Sequence, residues 1–517
     1  MKKSQKLQDA IGMVGDDLIH RADAPRKRIR LRRWAVPAVA AMLVLTILAG
    51  MFFVGPGRHL FDQNRIEDPT HNGITDPAEP DGGSQIQEPS APQAGGSAPG
   101  NQSAPIRVQT LAAATYPQSP IYVGAVADRN DRFSEISGKW HKQNNIRKEQ
   151  AQSAGTINGF VEDTLTEFLA GEENRVYSPL NLYISLAMVA EMANGNSRQQ
   201  ILDLLNVQDM DTLRQKAYDL WNAHYRDDGA ITSVMANSLW LNEKETYNEE
   251  MIQTLARQYY TSVYSGKPGT KAFDQALQQW INTQTGGHLG DLVQEFETDP
   301  SLVFSLVSTV HFRGKWKWPF DESKTKQGIF HGVTGDNTCD FLNTTYNEKV
   351  VYYGDRFTAV FHEIATGGGM WLILPDEGVT IEQLTNDPQV RALMAGQAAE
   401  DTLKMTVHLS VPKFDVSAKI DLIEPLKNLG VTDIFIGGKA DLSSLGSGGL
   451  VVYEANHSAR VTIDEEGCIA SSFTNFDGTK SVPKPGEELT FTLDRPFLYT
   501  ITSEHGTTLF AGTVQNP

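Results

Sequence analysis

A change of hydrophobic period near residue 301 constrains this chain more than any other feature. Before it, apolar residues recur at helical spacing. Residues 156–171 (TINGFVEDTLTEFLAG) carry Phe160, Leu165 and Leu169 and then a glycine stop. Residues 178–194 (SPLNLYISLAMVAEMAN) are nearly all apolar, so this helix belongs deep in a core; Ser178 is a good cap and Pro179 suits the first turn. Further helical segments lie near 197–206, 211–225, 247–260 and 271–294, with one strand-like stretch, MANSLWLN at 235–242, among them. Beyond 301 the segments from SLVFSLVSTVHFRG through YGDRFTAVFHEIA and LKMTVHLSVPKFDV to TTLFAGTVQN read as strands. Helices first and strands after, without an internal repeat, predict an α+β body over 155–517 built on a large mixed or antiparallel sheet.

The residues ahead of that body have a different composition. Residues 34–54 (WAVPAVAAMLVLTILAGMFFV) form 21 uncharged positions, long enough to cross a hydrocarbon core of about 30 Å. Arg26, Lys27, Arg28, Arg30, Arg32 and Arg33 precede them. The positive-inside rule therefore leaves residues 1–33 as a cytoplasmic basic tail and exports the rest. A cleaved signal peptide fits less well, because the tail is long, the apolar run exceeds a usual signal core, and no A-x-A site is obvious. The expected location is a cell membrane, single-pass, with the C-terminal domain extracellular. Residues 55–150 read as a flexible linker, rich in Pro, Gly and Ser to about 115, followed by a polar lead-in.

Charge and cysteine usage exclude several classes of function. Residues 1–58 hold 11 basic and 4 acidic residues, a net of +7, which leaves 34 basic and 59 acidic residues beyond them. So acidic a body repels phosphate, and no nucleic-acid partner is expected. Cys339 and Cys468 are the only cysteines, so neither a disulfide scaffold nor a cysteine-ligated zinc site can form. His362-Glu363 lacks the second histidine of a zincin helix, and GSGG at 446–449 is not a nucleophile elbow. There is no Walker loop, and the histidines do not cluster at ligand spacing. The chain reads as a non-enzyme without catalytic residues, metal or cofactor.

Several segments in order resemble the serpin family. They are Tyr177-Ser178-Pro179, the stretch 305–330 with Phe312, Gly314, Trp316, Pro319, Phe320, Thr325 and Phe330, then Leu374-Pro375, Pro412-Lys413-Phe414, VTIDEEG at 461–467, Asp494 to Leu498, and Leu509 to Gly512 with Asn516-Pro517. The resemblance implies a serpin-like fold with an exposed reactive loop, acting as a suicide inhibitor of serine proteases. The protease cuts the loop and forms an acyl-enzyme, and the loop then inserts as a new central strand and drags the protease with it. A non-inhibitory binding or structural protein at the cell surface is the alternative. The expected protein is a monomer, its partner an elastase-, subtilisin- or trypsin-like serine protease, with a cysteine protease as a further option. The anchor and tether would fit a bacterial cell envelope.

By the same resemblance, Glu465, Glu466 and Gly467 are the hinge, and the loop runs to residue 482. Alternate side chains of a strand face one side, so Cys468, Ala470, Ser472, Thr474 and Phe476 would turn inward. The first four are small and uncharged, Phe476 is bulky but apolar, and no proline or charge occurs over 468–476, so the loop is compatible with insertion. Counting along the loop puts the reactive bond at Ser481–Val482, with Lys480–Ser481 as the alternative. Ser178, Asn181, Ser308 and His457 match a polar lock between central strands, with a serine and the asparagine exchanged. Trp316 is expected at the top of the sheet near the hinge. A Cys339–Cys468 bridge would pin the loop, whereas two thiols far apart would leave it free to insert.

Overall fold

The computed structural model describes residues 108–122, 131–287, 297–365, 367–399, 401–446, 449–467 and 488–517. The apolar run 34–54 and the loop residues 468–487 lie outside them. Among the described residues no helix is long and apolar enough to cross a membrane.

In chain order the elements are β1 (Gln109–Ala112), α1 (Asp131–Ala154), α2 (Asn158–Leu169), β2 (Arg175–Tyr177), α3 (Pro179–Met192), α4 (Gly195–Leu204), α5 (Met210–His224), β3 (Arg226–Asp227), β4 (Ile231–Asn242), α6 (Glu249–Gln258), β5 (Thr261–Gly266), α7 (Lys271–Gln284), β6 (Phe304–Gly314), β7 (Lys326–Gly332), β8 (Gly335–Tyr353), β9 (Phe357–Glu363), β10 (Gly369–Pro375), α8 (Ile381–Thr385), α9 (Pro388–Met394), β11 (Leu403–Pro412), β12 (Asp415–Asp421), α10 (Ile423–Asn428), β13 (Asn456–Thr462), β14 (Glu488–Thr492), β15 (Phe497–Thr502) and β16 (Thr508–Val514).

Among the described residues the strands form three sheets. The first has the order β1-β5-β4-β3, with β6 also on β4. The second runs β14-β11-β8-β9-β10-β15-β16-β2, with β7 on β8, and the third is the pair β12-β13. Helix α3 is buried on almost every face, because its sequence is apolar all round. It packs against β16 and β6, so its capped start lies where the sheets meet. The helix-then-strand order of the sequence is thus an α+β architecture.

The lead-in is more ordered than its composition implies. Its polarity points to linker as far as residue 150, yet α1 spans 24 residues there and packs on α5. One aromatic fastens it: Trp140 is 8% exposed, donates its indole N–H to Asp228 at 2.7 Å and meets the Tyr122 ring edge-on at 5.0 Å. Upstream, β1 pairs antiparallel with the outer strand β5. Tyr116 stacks beside Trp221, Tyr225 and Tyr260 at centroid distances of 6.0, 5.6 and 6.5 Å. Tyr116→Ala should destabilise the folded body by about 1–3 kcal/mol, from lost aromatic burial and stacking. Urea unfolding followed by tryptophan fluorescence measures this; an unchanged midpoint would mean that the segment rides on the surface without stabilising it.

Candidate functional site: an unpaired gap with a lock and a hinge

Among the described residues β6 pairs only with β4 and β13 only with β12, yet β6 and β13 lie against each other. No backbone ladder among those residues joins the two facing strands. Among the described residues the two edges are joined at one end alone, by the Lys315–Gly467 bridge and by Trp316 N–H donating to Glu466 O at 3.1 Å. Unpaired edges of this kind are a template for another strand.

The far end of the gap is held by polar side chains at the start of α3. Ser178 caps that helix: its Oγ accepts from Asn181 N–H at 3.3 Å and donates to Leu509 O at 2.7 Å. Its own backbone N–H donates to His457 Nε2 on β13 at 3.0 Å. Asn181 reaches Ser308 on β6, with 2.5 Å between Oδ1 and Oγ. Ser308 Oγ also lies 2.6 Å from Asn237 Oδ1 on β4. One hydroxyl has one proton, and Asn181 Nδ2 is buried without a partner. Turning the Asn181 amide over resolves both: Nδ2 then donates to Ser308 Oγ, which donates to Asn237. The four predicted residues thus meet in one network, and α3 ties both edges of the gap together. Asn237, whose Nδ2 donates to Tyr259 O at 2.8 Å, is the member that sequence reasoning missed. Burial pushes His457 down to about 4, so the ring is neutral and Nε2 is an acceptor.

Both edges run from this lock toward the hinge, Ser308 to Lys315 on one side and His457 to Gly467 on the other. At the hinge the chain makes a tight turn closed between Asp464 and Gly467. Gly467 has φ +115°, and a Cβ there would lie 2.5 Å from Trp316 N and 2.7 Å from Gly314 O, so only glycine fits. Trp316, 3% exposed, underlies the turn, and its indole N–H donates to Asp464 O at 3.2 Å. The Trp316 ring packs on His362 at 4.4 Å, whose two ring nitrogens are buried without partners.

Glu465 braces this turn from below. Its carboxylate accepts from Thr325 Oγ1 at 2.7 Å and pairs with Lys413 Nζ at 2.7 Å, while its carbonyl accepts from Phe320 N–H at 2.8 Å. Burial alone would raise its pKa, but the hydrogen bonds from Lys413 and Thr325 outweigh it and hold the carboxyl low. Burial does raise Asp464, to about 6. Glu466 follows, its N–H held by Asp464 Oδ1 at 2.9 Å. Glu465→Lys should cost about 2–4 kcal/mol, since it removes a partly buried pair and places two lysines together. Urea unfolding measures it; a midpoint equal to wild type would mean the brace carries no load.

Cys468, Ala470, Ser472, Thr474, Lys480, Ser481 and Val482 lie outside the described residues. Cys339 is a free thiol, half-buried, and burial pushes it up to about 11. Among the described residues no group of His, Cys, Asp or Glu could hold a metal ion.

This arrangement, a central sheet with an unpaired gap beside a hinge, belongs to one class of protein. The sequence model of the serpin family (serine protease inhibitor) matches residues 149–517, and the chain is a member of that family. It is 27% identical over 394 residues to mouse neuroserpin, covering 71% of this chain and 94% of that protein. Plasminogen activator inhibitor 1 of Neovison vison is 28% identical over 368 residues, covering 67% and 88% respectively. Among solved structures, native tengpin, a thermophilic serpin, superposes with a TM-score of 0.64 at 22% identity, over 80% of this chain and all of that one. Human thyroxine-binding globulin gives 0.63 at 22%, over 71% and 99%. At that identity the structures bear on the fold alone. Residues 108–148, with β1 and most of α1, precede the matched family region.

Proposed function

We propose that this serpin is a suicide inhibitor of serine proteases outside the cytoplasm, held at a membrane by residues 34–54. The observation that carries the reading is the pair of unladdered edges on β6 and β13, with the loop leaving the hinge at one end of the gap. A strand that turned back after Gly467 would run antiparallel to both edges and complete their backbone hydrogen bonds. The inward set Cys468, Ala470, Ser472 and Thr474 is small enough to be buried in a completed sheet. Insertion would follow cleavage at Ser481–Val482, or at Lys480–Ser481, and would carry the acyl-enzyme with it. The native form would then be metastable, protected by a barrier rather than by its depth in free energy.

The test mixes the protein with an elastase-like and a trypsin-like protease. A complex that survives denaturing electrophoresis is expected, together with a C-terminal peptide whose mass starts at Val482 or Ser481. Clean clipping by every protease, with no gain in heat stability of the clipped product, would leave the non-inhibitory binding role instead.

A further inference from the structure

A small cleft, open to solvent, lies beneath the β15–β16 turn, at the start of β4 and the end of β6. Its floor is apolar, formed by Ile231, Phe312, Ile364 and Leu509, and its head carries Arg226, Glu504 and His505. The head holds more donors than acceptors. Arg226 is buried, and its Nη2 has no partner; His505 Nε2 has none either. Asp228 cannot supply the missing acceptor. Its Oδ2 already takes Arg226 Nε at 2.6 Å and Trp140 Nε1 at 2.7 Å, and its Oδ1 takes the backbone N–H groups of Ala230 and Ile231 at 3.1 and 3.0 Å. His224 is engaged on both nitrogens, by Leu220 O and Ser503 Oγ. Behind Arg226, buried Arg147 leaves Nε and Nη1 unpartnered and adds a second positive charge. The one remaining carboxylate, Glu504, is held weakly. It sits on the hairpin turn, with contacts of 3.3 Å to Arg226 Nη1 and 3.4 Å to Asn144 Nδ2, and lies 3.8 Å from His505 Nε2.

We propose that this cleft binds a small monocarboxylate with a compact apolar body, whose carboxylate displaces that of Glu504 at Arg226. The exchange keeps the local charge unchanged, because Glu504 swings to solvent as the ligand enters. The ligand takes Nη1 and Nη2 together in the bidentate geometry that guanidinium offers, with His505 Nε2 beside it. Its apolar part covers Phe312, Ile364 and Leu509. Glu504 is then a built-in competitor, and the site lies at the end of β6, one of the two strands that flank the gap.

Titration calorimetry of the full-length protein with sodium benzoate tests this. Saturable one-to-one binding is expected, with benzyl alcohol and inorganic phosphate each weaker by about tenfold or more. Glu504→Gln should tighten benzoate by about threefold, because the competitor loses its charge, while His505→Phe and Arg226→Lys should weaken it by about tenfold. His505 lies on a turn, so its variant reports even where the lysine variant fails to fold. A purely structural Glu504 would not give tighter binding on removal of its charge. The proposal falls if benzoate does not saturate, if benzyl alcohol or phosphate matches it, or if Glu504→Gln binds no better than wild type.

Discussion

Replacing Ala470 by arginine is expected to turn the protein from a trap into a substrate. The proposed reactive bond, Ser481–Val482, starts eleven positions further along, so the protease should cut the variant as fast as wild type. What changes is the strand that follows. In the proposed insertion residue 470 faces inward and must cross the gap between β6 and β13. Beneath that gap lie α3 and the buried lock of Ser178, Asn181 and His457, and the one carboxylate of α3, Glu191, is already taken by Arg214 and Tyr259. Burying an uncompensated cation costs several kcal/mol even after relaxation, and deacylation needs no such insertion. The denaturation-resistant complex should fall by about tenfold or more, since 1.4 kcal/mol already corresponds to a factor of ten, while free, active protease and clipped inhibitor accumulate. Cleaved wild type should also gain heat stability, and the cleaved variant should not. Complex formation at the wild-type level in Ala470→Arg would sink the insertion mechanism.

Acidification is expected to loosen the native state between pH 6.5 and 4. Burial holds His224, His311 and His457 each down to about 4, against about 6.5 in an unfolded chain. The unfolded state therefore binds more protons in that window. The contribution of these groups is complete above pH 6.5 and is lost as pH falls toward 4, at about 1.4 kcal/mol per unit for each fully shifted group. Asp464 acts in the opposite sense. Raised to about 6, it favours the native state below about 4 and loses that contribution as pH rises through 6. Three histidines against one aspartate leave a net loss on acidification. His457 matters most for the gap, because its protonation removes the acceptor of the Ser178 N–H and puts a cation at the lock. The melting temperature should drop from pH 7 to pH 5, and His457→Gln, which keeps an acceptor, should flatten that slope. A melting temperature independent of pH over this range would contradict the assignment.

The buried elements were the legible ones. Helix α3 was visible because it is apolar all round and opens with Ser178-Pro179, and the strands around Phe361, Leu372 and Leu409 because core-facing residues set their period. The ribbon of β7 and β8 was not, since both strands are half exposed and alternate weakly around Thr338, Asp340 and Asn343. Helix α1 escaped for the same reason: its surface is mostly polar, and its few buried residues, Trp140, Arg147 and Ala154, set no apolar period. At the lock, Ser178 and His457 could be found by resemblance, whereas Asn237 sits inside a strand-forming run and becomes part of the network only through its register opposite Ser308. No local pattern encodes a cross-strand register of that kind.

The gap is fastened at its two ends and unpaired between them, which separates rate from depth. Opening must break the Trp316–Glu466 contact at one end and the Ser178–His457 contact at the other. In the proposed insertion those contacts set the height of the barrier. Among the described residues no backbone ladder joins β6 to β13 between the two ends, so substitutions facing the gap should change mainly the stability of the completed sheet. On that mechanism the lifetime of the waiting state and the permanence of the trap are governed by different residues, and each can be altered without the other.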